Sequence, residues 1–97
     1  MRQIEQLNEK RGQDQIILTI YEEQGRYTFA LQCAVSRIIR AFYPHQIKDP
    51  YATPAQAKQA AIALLHSWTA RTPAAKARLK EFGITFCDTQ LEFNFEN

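Results

Sequence analysis

The feature that most constrains this chain is a run of period-two alternation interrupted once by a turn. Residues 15–21 read QIILTIY. In an extended chain Ile16, Leu18 and Ile20 point one way and Ile17, Thr19 and Tyr21 the other. β-Branched residues dominate, and these fit a pleated surface. Glu22-Glu23-Gln24-Gly25-Arg26 follows as a loop, with Gly25 free to take positive φ. Residues 27–33 resume the alternation, Tyr27, Phe29, Leu31 and Cys33 against Thr28, Ala30 and Gln32. Two such runs around a glycine loop specify an antiparallel hairpin with one apolar face, and that face needs a covering layer.

The cover is legible further on. Thr53-Pro54-Ala55-Gln56 combines an N-cap residue, proline at the first helical position and glutamine three residues after the cap. Ala57, Ala60, Ala61, Leu64, Leu65 and Trp68 then recur on one helical face, which predicts a long helix over 54–70 with small residues early, where it approaches a sheet. Thr72-Pro73 repeats the start signal and opens a shorter basic helix over 73–82, with Leu79 and Phe82 inward and Gly83 as its stop. Residues 44–53, with two prolines, form a loop.

Three segments are less determined. In residues 1–11, Ile4 and Leu7 share a helical face before Gly12, so residues 1–13 read as a short or frayed helix. Residues 34–43, AVSRIIRAFY, fit both periods. As a helix they present Ala34, Val35, Ile38, Ile39 and Phe42; as a strand Ile38, Arg40 and Phe42 oppose Ile39, Ala41 and Tyr43. The absence of a Gly or Asn turn speaks against a tight hairpin, while the shortness, the stop at Pro44 and the β-branched content speak for a third strand, which is the reading taken. After Gly83, Ile84-Thr85-Phe86 begins a final strand, and the parity changes between Phe86 and Cys87, which allows a bulge or a free tail over 88–97. The expectation is one α+β domain over residues 1–97: a β-meander of two or three antiparallel strands on a long helix, then a short helix and a C-terminal strand.

At 97 residues with 45% apolar and 23% charged residues, the chain has the composition of an ordinary globular domain. It lacks a membrane-length apolar run and its polar start has no signal-like core, so we expect a cytoplasmic protein without a membrane partner. The net charge of +2 conceals an asymmetry. Residues 1–34 carry −1, residues 35–80 carry +7 and residues 81–97 carry −4. A basic middle with an acidic end points to a polyanionic partner, DNA or RNA, with Arg37, Arg40, Arg71, Lys76, Arg78 and Lys80 as phosphate contacts and Tyr43 or Tyr51 available to stack on a base. A solvated helix face is the plainer reading of the same charges.

Catalytic chemistry finds little support. His45 and His66 have no second histidine at metal-ligand spacing, and Ser67 beside His66 points away from it on a helix. The three glycines are isolated, so no phosphate loop exists. Cys33 and Cys87 read as reduced, buried thiols. No cofactor, metal or catalytic residue is assigned, and an enzyme with an unrecognised site is the least favoured of the functions considered.

The tail contains Gln90-Leu91-Glu92-Phe93-Asn94-Phe95. Gln90, Leu91, Phe93 and Phe95 resemble the short peptide by which bacterial replication and repair proteins dock on the ring-shaped DNA sliding clamp; leucine is usual where Phe93 stands. The resemblance covers six of 97 residues and implies an extended docking peptide with three apolar anchors and one amide at the pocket rim. The alternation equally suits an edge strand, which is the favoured reading. The sequence thus predicts a small non-catalytic accessory or binding protein associated with nucleic acid. The alternative is a protein-interaction or homodimerising module that uses its C-terminal strand.

Overall fold

The computed structural model describes residues 1–82. The expected strand from Ile84, Cys87 and the Gln90–Phe95 peptide lie outside the described residues. Four strands form one antiparallel meander: β1 (Arg2–Arg11), β2 (Asp14–Glu23), β3 (Arg26–Val35) and β4 (Ile38–Phe42), in the order β1-β2-β3-β4. Two helices follow, α1 (Pro54–Thr69) and α2 (Pro73–Leu79), so the architecture is α+β. A single 3₁₀ turn at Pro44–Gln46 leads out of β4.

The central hairpin has the anticipated faces. Ile16 pairs with Cys33, Leu18 with Leu31 and Ile20 with Phe29, and all six are buried. Across them lies α1, burying Ala57, Ala61, Ile62, Leu65 and Thr69. Alanine at 57 and 61 lets the helix backbone approach the sheet closely. Fully burying a side chain such as Leu31 or Ile62 contributes about 1.5–3 kcal/mol. The lower end of the core is closed by Ala75 and Leu79 of α2 and by Phe82.

Two expectations are corrected. Residues 2–11 form an edge strand, where the 3-residue spacing of Ile4 and Leu7 suggested a helix. A register shift between Gln3 and Glu5 sets Ile4 apart as a bulge, and from there Glu5, Leu7 and Glu9 share the core-side parity. With Leu7 as the one apolar residue among these three, β1 is held instead by polar cross-strand bonds. Gln6 donates to the Thr19 hydroxyl at 3.1 Å, Gln15 donates to Asn8 at 2.9 Å, and Arg2 pairs with Glu22. The meander therefore has four strands, not two or three.

The second correction concerns 34–43. The segment is two strand pieces joined by a two-residue turn, Val35 facing Ile38. Ser36 and Arg37 make that turn at φ 48° and 73°, the left-handed region usually left to Gly and Asn. Asp14 supports the turn, its carboxylate accepting from the Ser36 N–H at 3.4 Å.

The helix starts also differ in detail. Thr53 caps α1, accepting from the Gln56 N–H at 3.1 Å, but the Gln56 side chain reaches back to the Ala52 N–H rather than to that of Thr53. Thr72 makes no side-chain cap for α2. Tyr51 exchanges two 2.8 Å backbone bonds with Tyr27, which ties the loop before α1 to β3 above the end of β4.

Candidate functional site

The β1–β2 and β3–β4 turns lie at one end of the sheet, and three contacts bring α2 to the same end. Arg78 donates to the Asp14 carboxylate at 2.8 Å and to the Arg11 carbonyl at 2.8 Å, and Arg11 donates to the Glu81 carbonyl at 3.2 Å. Gly12 turns the chain under Arg78 at φ 62°. The C-terminal part of α1 reaches this region too, since the Arg40 guanidinium of β4 sits 5.6 Å from the Trp68 ring centre.

Charge therefore accumulates at the turn end. Among the described residues its acids are already occupied. Asp14 and Glu81 pair with Arg78, and Glu9 pairs with Arg11 at 3.8 Å. The hydrogen bond to Asp14, with the nearby carboxylate charges, holds Arg78 above its usual range. Lys10, Arg37, Arg40, Arg71, Lys76 and Lys80 have no acidic partner among the described residues, and all six are exposed. The opposite end is balanced by Arg2 with Glu22 and Lys58 with Glu5.

The sheet face turned away from α1 is the second feature. Cross-strand pairing places Gln15 with Ala34 and Ile39 on this face, and Ile17 with Gln32 and Ala41. The face is hollowed. A depression of about 430 Å³ adjoins one of about 230 Å³, and both touch Ile17, Gln32 and Tyr43. Ile39 is 78% exposed and Tyr43 45%. The Tyr43 ring lies nearly parallel to His45, with 6.1 Å between centres and 8° between planes. Arg40 borders the larger depression, but it pairs in register with buried Cys33 and its guanidinium lies over Trp68, on the α1 side.

Of the six cations singled out in the sequence, five stand exposed at or beside the turn end, while Arg78 is committed to Asp14, Glu81 and the Arg11 carbonyl. Lys10 and Arg11 were hidden in the sequence by the acidic balance of their third of the chain; the Gly12 turn brings them beside the basic middle. Of the two tyrosines, Tyr43 is exposed, whereas Tyr51 is partly buried, 6.3 Å from Phe29 in an aromatic cluster that includes Phe42. Gln90, Leu91, Phe93 and Phe95 lie outside the described residues.

Cys33 is 3% exposed, and burial pushes its thiol up to about 11, so near neutral pH it stays protonated and a poor nucleophile. Among the described residues, no three His, Cys, Asp or Glu side chains converge on a point that would hold a metal ion. No described helix is long and apolar enough to cross a membrane. No family model, no curated protein and no solved structure matches the chain.

Proposed function

We propose that this chain is a small non-catalytic binding protein that holds a nucleic acid, DNA or RNA, against the turn end of its sheet. One observation carries the reading. Cations from β1, the β3–β4 turn, β4, the α1–α2 connection and α2 share that end, and among the described residues the acids near them, Glu9, Asp14 and Glu81, are paired with Arg11 and Arg78. Cations grouped on one surface displace condensed counterions from a phosphate backbone, which neither scattered nor paired cations do as well. The reading goes with the cytoplasmic placement expected from the sequence.

Homodimerisation through a sheet edge has weaker support. β1 is a ten-residue edge strand, but its bulge and its row of Glu5, Glu9, Lys10 and Arg11 are features that discourage edge pairing. The other edge, β4, has five residues and gives way to the 3₁₀ turn that begins at Pro44.

Fluorescence anisotropy of a labelled oligonucleotide across a salt series tests the proposal. With three to five phosphates neutralised, log K should fall against log salt with a slope of roughly −2 to −4. Replacing Arg37, Lys76 or Lys80 by glutamine should each reduce that slope by about 0.7–0.9. Lys48→Gln, in the loop between β4 and α1, should leave it unchanged. Absence of binding at low salt, or binding indifferent to salt, would overturn the proposal.

A further inference from the structure

We infer that the nucleic acid bound at the turn end is single-stranded, and that its unpaired bases lie in the depression on the open sheet face. This rests on the proposed nucleic-acid function and narrows its ligand.

Along the open face, Lys10 is the cross-strand neighbour of Gln15, and Arg37 stands in the turn just beyond Ala34 and Ile39. Both positions are thus next, by register and by chain, to residues that line the turn-end side of the depression, Gln15, Ala34 and Ile39. Above them the face presents the Tyr43 ring, the aliphatic side chains of Ile17 and Ile39, and the Gln32 amide, which has no protein partner among the described residues. Tyr21 lines the smaller, upper part. Cations thus adjoin the turn-end side of the depression, and its lining is uncharged apart from Arg40, whose guanidinium lies over Trp68.

A single strand has the matching division. Its phosphates carry the charge, and its bases are flat, uncharged and rich in donors and acceptors. Aromatic rings give such bases sequence-tolerant stacking, and a glutamine amide can bond base edges. A duplex offers phosphates to the cations but keeps its base faces stacked, so it gains nothing from the depression. Nor is α2, at the turn end, suited to read a groove: it has seven residues, and Arg78 on it is committed to Asp14 and Glu81. A second copy of the chain fits worse, because among the described residues Ile39 and Tyr43 are the two large apolar side chains well exposed on this face, a small patch for face-to-face pairing.

The test is anisotropy with labelled oligothymidylate and a mixed-sequence duplex of equal length, in the same buffer, with the full chain and three variants. The single strand should bind at least tenfold more tightly than the duplex. Tyr43→Ala should weaken single-strand binding by about tenfold, from the loss of one stacking partner, and leave duplex binding unchanged. Tyr43→Phe, which keeps the ring, should retain the affinity. Gln32→Leu should alter the ranking among oligothymidylate, oligocytidylate and oligoadenylate more than the overall affinity. Because Tyr43 is exposed, the melting temperature of its variants should match the parent. Equal affinity for the two forms, or Tyr43→Ala without effect on the single strand, would overturn this inference while leaving the turn-end proposal intact. Failure of both ligands to bind at low salt would overturn both.

Discussion

Two of the three buried threonines, Thr28 and Thr69, place opposite demands on their surroundings. Thr69 is fully buried on α1, and its hydroxyl donates to the Leu65 carbonyl at 3.1 Å. Thr28 is 8% exposed on β3, and its Oγ1 is buried with no hydrogen-bond partner among the described residues. A buried hydroxyl left unbonded costs about 1–3 kcal/mol, and replacing it with a methyl of the same shape recovers part of that cost. Thr28→Val should therefore stabilise the fold by about 1 kcal/mol, whereas Thr69→Val should destabilise it by about 0.5–1.5 kcal/mol. Urea denaturation reads both as midpoint shifts at constant slope. A Thr28→Val protein that melts earlier would mean that the hydroxyl has a partner in solution. Residue-scale reading also separates the cations. Arg78 and Arg37 look alike in the sequence, but Asp14 holds the first through its side chain and supports the turn of the second through the Ser36 N–H.

At the scale of elements, the β3–β4 turn is where stability and the proposed function conflict. Arg37 sits at φ 73°, a conformation that costs a non-glycine residue roughly 1–2 kcal/mol. Glycine there would relieve the strain, less the entropy of a freer unfolded chain, so Arg37→Gly should stabilise the hairpin by about 0.5–1 kcal/mol. The same change removes a cation from the turn-end side of the depression and should weaken single-strand binding several-fold. Arg37→Gln should weaken binding without the gain in stability. Thermal melts with anisotropy on both variants check this, and unimpaired binding by Arg37→Gly would remove the turn from the interface. This turn also shows why some of the fold was not legible. The central hairpin was clear because its apolar residues alternate and Gly25 marks the turn; α1 was clear from its cap and its stripe. The Ser36–Arg37 turn carries no such mark, because its positive φ values are imposed by the pairing of β3 with β4 and by Asp14, 22 residues before Ser36. In β1, Leu7 is the lone apolar residue of the core-side trio and a bulge breaks the parity, so its strand character comes from β2 rather than from its own sequence.

For the whole molecule, the arrangement is two-sided. Helix α1 covers one face of the sheet, and on the other face the described residues leave Ile39 and Tyr43 exposed beside a depression whose one charged lining residue is Arg40. The basic middle was visible in the sequence as +7 over residues 35–80. Its partition was not: the fold neutralises Arg78, adds Lys10 from a segment of net negative charge, and turns Tyr43 outward while Tyr51 packs inward. Which face of the central hairpin would be covered was legible, because Phe29, Leu31 and Cys33 stand against Thr28, Ala30 and Gln32; that β4 and the residue after it add Ile39 and Tyr43 to the other face was not, because the Ser36–Arg37 turn is unmarked. The most direct test is amide chemical-shift mapping of the isotope-labelled chain titrated with oligothymidylate at low salt. The account predicts perturbations at Lys10, at Gln15 and Ile17 on β2, at Gln32 and Ala34 on β3, and from Arg37 to Tyr43, with the exposed outer positions Ala63 and Ser67 of α1 unchanged. Perturbations centred on α1, or an unchanged spectrum at saturating oligonucleotide, would contradict it.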